Sequence, residues 1–293
     1  MPKFLIVSIF ILSLFSEFAY ASGSEKENNL NIEETVYEGK AHFIIKTKSI
    51  TWYFDLEGGG FSRMIDKDGN DWISFKRKPW GEYPASAASA FRGIPNLVFK
   101  GDDGGAGHPG HDKCESDVNG NKIITESKSG LWKWSWEFYD DYAVMEILKT
   151  DKNNPYWFLY EGTPGGSFTP ANYYFGTSSI PATTEIPDYY KGENIYQDYQ
   201  WIFCGDKNQK RTFYMLQVKM DDKTDMLGFL GNTKEGLNSP DGMTVFGFGR
   251  DKNTNAMMTG NQKFIVGLYP DKLLKEKKQA AFKNYLEKTF DIN

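Results

Sequence analysis

Apolar and polar residues alternate with a period of two through most of the chain, which predicts strands. The cleanest run sets Trp132, Trp134, Trp136 and Phe138 against Lys133, Ser135 and Glu137. Tyr139-Asp140-Asp141-Tyr142 then turns the chain and Val144 to Leu148 returns, a hairpin. Earlier, Phe43, Ile45 and Ile50-Thr51-Trp52-Tyr53-Phe54 are strand formers, and Gly58-Gly59-Gly60 interrupts them. Phe61 to Ile65 resumes the pattern, Lys67-Asp68-Gly69-Asn70 makes a tight turn, and Trp72-Ile73-Ser74-Phe75 resumes again. Further strands are expected at Tyr156–Tyr160, Tyr199–Cys204, Thr212–Lys219, Met226–Leu230, Thr244–Gly249 and Lys263–Tyr269. Only the end has a helical period. Asp271 to Phe290 follows Pro270, lacks Gly and Pro, and can align Leu274, Ala281, Phe282, Tyr285 and Leu286 on one stripe. No repeat and no long linker divides the chain. The expected fold is all-β: one large antiparallel two-sheet sandwich over residues 39–293, with a C-terminal α-helix at 271–290.

The first twenty-one residues break this pattern. Lys3 precedes a nearly unbroken apolar run from Phe4 to Phe15, and Ala19-Tyr20-Ala21 follows. A charged start, an apolar stretch and a small-x-small site predict a cleaved secretory signal peptide over 1–21. The run is too short to span a bilayer, which takes about 20 residues. An extracytoplasmic address, periplasmic or secreted, with no integral span after cleavage, is therefore expected. Residues 22–38 are mostly polar and read as a disordered leader.

Composition changes the picture in three ways. The net charge is only −5 with no long block of one sign, which argues against nucleic acid and anionic membrane as partners. Aromatic residues make up 16% of the chain, enough either for a large aromatic core or for stacking on sugar rings. Two cysteines, Cys114 and Cys204, could bridge in an oxidising compartment if their Cα atoms approach within about 7 Å. Their spacing fits no zinc pattern, and no N-x-S/T sequon occurs.

The stretch from Ile50-Thr51-Trp52-Tyr53-Phe54-Asp55 through Gly58-Gly59-Gly60-Phe61 to Met64-Ile65-Asp66-Lys67-Asp68-Gly69-Asn70-Asp71-Trp72 resembles the opening of galactose-mutarotase-like proteins. The resemblance, mainly over residues 50–75, implies a large two-sheet sandwich and a carbohydrate-active role. The aldose epimerases of that superfamily imply a histidine acid, a second histidine loop downstream and a glutamate base. Here His42, His108 and His111 are the only histidines, so that set does not map residue by residue.

Several residues could carry chemistry. Gly104 to Glu115 holds His108 and His111 among four glycines and Pro109, a loop in which either histidine could serve as general base. A metal site in that loop is disfavoured because Pro109-Gly110 prevents the helix that H-x-x-H needs. Arg92 stands among small and apolar residues and could bind a sugar carboxylate or an internal acid. Glu161 ends an apolar strand after Trp157 and could be an acid, a base or a turn-stabilising carboxylate. Tyr173 and Tyr174, and Tyr189 and Tyr190, flank the next loop as proton donors, stacking rings or core. Trp132, Trp134 and Trp136 would form a large apolar patch if exposed, so core placement is expected, with a glycan platform as the alternative.

Together these point to a carbohydrate-active enzyme acting on a polysaccharide or oligosaccharide. β-Elimination of a uronate glycan is favoured, with Arg92 neutralising the carboxylate, His111 or His108 as base, and Tyr173 or Tyr174 as acid. Trp157, Tyr189 and Tyr190 would bind substrate. A hydrolase or epimerase-like enzyme using carboxylates such as Glu161 is one alternative. A non-catalytic glycan-binding sandwich is the other. No cofactor is expected, with a structural cation left open.

Overall fold

A computed structural model describes residues 30–78, 88–230 and 242–292. The expected signal peptide and the first part of the expected leader lie outside these residues. Two antiparallel sheets make the sandwich. The nine-stranded sheet runs, in spatial order, β1 (Asn31–Tyr37), β2 (Lys40–Lys46), β3 (Ile50–Asp55), β4 (Gly60–Asp66), β5 (Gly93–Asn96), β10 (Phe158–Gly162), β16 (Met243–Phe248), β15 (Asp225–Leu230) and β12 (Ile195–Gln197). The eight-stranded sheet runs β11 (Tyr173–Thr177), β13 (Trp201–Asp206), β14 (Thr212–Gln217), β17 (Lys263–Tyr269), β9 (Tyr142–Lys149), β8 (Lys133–Phe138), β7 (Lys122–Ser127) and β6 (Cys114–Asn119). A single helical turn, α1 (Ala88–Phe91), precedes β5, and α2 spans Glu276–Phe290.

The expected sandwich and C-terminal helix are both present. Period two drives the packing. Trp134, Trp136 and Phe138 of β8 point between the sheets, and Trp132 just before it is buried with them, so the tryptophan run is core rather than a glycan platform. Phe61 is the hub. It meets Trp136 at 4.7 Å, Trp52 at 5.0 Å and Phe54 at 5.2 Å between ring centroids. Phe158 and Phe264 stack across the sheets at 4.2 Å, as do Tyr160 and Phe213. Fully burying one such ring stabilises the fold by roughly 1.5–3 kcal/mol.

Three expectations change. The leader becomes a strand from Asn31, paired along β2 with Thr35 opposite His42 and Val36 opposite Ala41. Its glutamates face solvent at a sheet edge, where charge blocks further pairing. The helix starts at Glu276 rather than Asp271. Leu273, in the extended segment before it, fills the apolar slot, while Leu274 stays 38% exposed. Finally, Cys114 and Cys204 are both free and buried. They lie on β6 and β13, six strand spacings apart in one sheet, on the order of 29 Å at ~4.8 Å per strand, far beyond disulfide reach.

Candidate functional site

Strand alternation decides which side chains leave the core. On β10, Phe158 and Tyr160 face inward, so Trp157, Leu159 and Glu161 face outward. The register sets Glu161 opposite Val245 on β16 and Leu159 opposite Asn96 on β5. Met226, Met243 and Val245 form a small apolar cluster on this same outer face, with Phe91 and Tyr189 packed against it.

The glycine-rich loop between β5 and β6 brings His108 to this face. It can do so because it lies almost in contact with backbone. A Cβ on Gly60 would come within 2.2 Å of the Gly107 carbonyl, and one on Gly93 within 2.5 Å of the Pro109 ring. The Asp55 carboxylate ties the two loops together, accepting from Gly58 N at 3.0 Å and Gly110 N at 2.8 Å.

His108 is 3% exposed. Its Nδ1 lies 2.7 Å from the Pro109 carbonyl, and its Nε2 lies 2.7 Å from the Phe91 carbonyl and 3.8 Å from Glu161 Oε2. Both ring nitrogens thus face backbone carbonyls, which only accept, and the Glu161 carboxyl lies beside Nε2. Burial pushes the Glu161 carboxyl up from its ordinary value; His108, Arg250 and a 3.4 Å bond from Asn96 Nδ2 oppose that rise. Asn96 also accepts from Trp157 Nε1 at 3.2 Å. The Arg250 guanidinium lies over the Trp157 ring, 5.2 Å from its centroid. Glu161, His108, Asn96, Trp157 and Arg250 thus form one connected polar cluster on a rigid sheet. A buried acid with a raised pKa beside a histidine is what proton-transfer sites are built from.

His111 is separate. It is half-buried, sits edge-on to His108 at 5.4 Å, and lines a cleft of about 640 Å³ with Arg77 and Asp112. Burial first, then the charges of His108 and Lys40, hold its pKa down at about 4, so it is neutral at pH 7. His42 is structural: its ring nitrogens meet the Lys40 carbonyl at 3.0 Å and Ser62 Oγ at 2.9 Å.

The other sequence-derived candidates separate. Arg92 directs its guanidinium to the Ser74 and Gly242 carbonyls at 3.2 and 3.0 Å, so it braces loops rather than facing a ligand. Tyr173 lies in the inter-sheet core against Phe168 and Phe229, and burial drives its pKa upward. Tyr174 lies on the other side of β11, bonded to Thr212 Oγ1 at 2.6 Å, with its pKa pushed up to about 12 by burial. Neither tyrosine is placed to serve as the acid beside His111, because β11 and β6 are opposite edges of their sheet. Tyr189 joins the outer face, and the Tyr190 side chain lies outside the described residues. Asn96 and Arg250 went unread in the sequence. Arg250 follows an apolar strand and Gly249 at a strand-to-loop junction, the same signal that marks Glu161. Among the described residues, no group of three or more His, Cys, Asp or Glu is placed to hold a metal ion.

No protein-family model matches the chain, and no curated protein matches its sequence. Solved structures do. The protein HI1317 matches at 10% identity and a TM-score of 0.52, over 83% of this chain and 96% of its own. The likeness is one of fold. A galactose mutarotase-like protein from Lactobacillus casei matches at 9% identity and a TM-score of 0.48, over 78% of this chain and 100% of its own. A mutarotase-related protein from Salmonella typhimurium matches at 8% identity and a TM-score of 0.48, over 82% and 94%.

Proposed function

We propose that this chain is an extracytoplasmic protein that binds and acts on a carbohydrate at the outer face of its nine-stranded sheet. The observation that carries this reading is Glu161, a buried carboxyl of raised pKa, held 3.8 Å from His108 beside Trp157. Aromatic rings pack on the C–H faces of sugars, and carboxylate, amide and guanidinium groups read their oxygens. The galactose-mutarotase-like opening of the sequence agrees with a sugar ligand.

The favoured reaction is β-elimination from a uronate unit. Glu161 takes the C5 proton as the C4–O bond breaks, a C4=C5 double bond forms, and His108 returns a proton to the leaving oxygen. The two groups are adjacent, so they serve one side of the ring. Arg92, Tyr173 and Tyr174, assigned roles from sequence, are replaced in this scheme. The burial of His108 supports a second reading, binding without turnover. Incubating the purified protein with neutral and acidic glycans separates them. New reducing ends with the ultraviolet absorbance of an unsaturated uronate support the lyase, and new reducing ends alone a hydrolase. Binding without either supports the module. No binding and no turnover of any glycan overturns the carbohydrate reading.

A further inference from the structure

The chain has five arginines, and four have evident roles or exposure. Arg63 pairs with Asp71 at 2.7 Å, and Arg211 with Asp68 at 2.6 Å. Arg92 donates to two carbonyls, and Arg77 is solvent-exposed on the wall of the His111 cleft. Arg250 differs. It is 7% exposed, yet among the described residues its guanidinium makes no ion pair and no hydrogen bond. Its guanidinium lies over the Trp157 ring, 5.2 Å from the centroid. A largely buried cation without a counter-ion is costly, because the slight solvent contact its nitrogens keep repays only part of its desolvation.

The surroundings hold Arg250 in place. Gly249, just before it, adopts a left-handed φ of +72°, and its N–H donates to the Asp225 carboxyl at 2.8 Å. Trp157 is fixed beneath it by Asn96 and by Phe99, whose ring centroid is 4.5 Å away. Glu161 feels the Arg250 charge but lies beyond ion-pair distance, held instead near His108 and Asn96. The result is a planar fork of donors, backed by an indole and beside a proton-transfer pair, with its hydrogen-bonding capacity unspent.

We propose that Arg250 is the residue that recognises a ligand carboxylate, so that the site takes an acidic, uronate-containing glycan. This rests on the carbohydrate reading above and adds the group that reads the acidic unit's carboxylate. A carboxylate matches the guanidinium fork with two parallel N–H···O bonds and supplies the missing counter-charge. A neutral hydroxyl offers neither. Phe99, 45% exposed and tilted against Trp157, is the open ring that borders the same place.

The test is calorimetric titration of the full chain with hexamers of galacturonate, glucuronate and mannuronate. Their neutral methyl esters and a sulfated neutral hexamer serve as comparisons. The wild type should bind one acid form at least roughly 10-fold more tightly than its ester, as expected for a charge-assisted pair. Arg250→Gln should bring the two to equal affinity, and Arg250→Lys should restore part of the preference, because charge returns without the fork. Equal wild-type affinity for acid and ester overturns the proposal without needing a variant. So does an unchanged preference in Arg250→Gln, or a preference for the sulfated hexamer over every uronate. Binding confined to neutral sugars leaves the carbohydrate reading standing and removes both this proposal and the uronate elimination. Binding of no sugar removes both.

Discussion

The outward face of the eight-stranded sheet carries Tyr174, Phe203, Tyr214 and Leu216, and helix α2 closes over them with Phe282 and Leu286. Its buried hydroxyls pair with one another: Tyr174 with Thr212 at 2.6 Å, and Tyr214 with Tyr285 at 3.2 Å. The outward face of the nine-stranded sheet has the same apolar floor in Met226, Met243 and Val245, but adds Glu161, His108 and Arg250. One face is closed by its own chain with neutral groups. The other keeps ionisable groups at under 9% exposure, one of them a cation without an ion-pair partner among the described residues. Burying neutral, mutually bonded groups stabilises a fold, whereas burying charge costs stability. The second face therefore points to a ligand and the first to packing.

That contrast can be broken by substitution. The largest effect is expected at Glu161→Gln, which keeps the shape and removes the base. Turnover should fall by about 10²–10⁴-fold with the fold intact, measured as initial rate on the active glycan. An unchanged rate would return Glu161 to a structural role. On the other face, Phe282→Ala removes a ring that meets Tyr269 at 5.1 Å and Tyr214 at 5.4 Å. It should cost about 3–5 kcal/mol in denaturant unfolding while leaving the glycan KM alone. A large shift in KM would mean that the helix-covered face also touches ligand.

A smaller, pH-dependent effect is expected at Asp225. Burial pushes its carboxyl up to about 8, although Gly249 N and Tyr199 N donate to it. The unfolded chain ionises near the ordinary value of 3.8, while the folded one holds the proton. Stability from this group is thus complete in acid and is lost as pH rises through about 8. Asp225→Asn should flatten that decline across this window. An unaltered pH profile would show that Asp225 is already ionised in the fold.

The smallest effect is expected at His111→Ala. The side chain lines a separate cleft, and its removal should change stability by only about 0.5 kcal/mol and leave turnover intact. His108→Ala should lower turnover clearly, though by less than Glu161→Gln, because its ring faces Glu161. Equal losses in both would merge the two neighbourhoods into one site.

The sequence showed the sandwich because period two is a local signal, as along β8 and β9. It showed the glycine loop for the same reason, and it placed Glu161 at a strand end correctly. It could not show partners. Arg92 stands among small residues, and whether such an arginine meets a ligand or backbone carbonyls depends on Gly242, 150 residues away. Arg250 meets Trp157 across 93 residues, so its isolation from acids is invisible until the strands are paired. Tyr173 and Tyr174 are adjacent, and alternation sends one into the inter-sheet core and the other under α2. β1 was missed because its apolar positions are sparse and its charges suit an edge.

The most direct measurement is a crystal structure of the chain with the hexamer that binds best in the panel. A sugar unit should lie against the outer face of the nine-stranded sheet, with its carboxylate on Arg250 and its C5 facing Glu161 and His108. A hexamer seated only in the His111 cleft or along α2 would contradict the account.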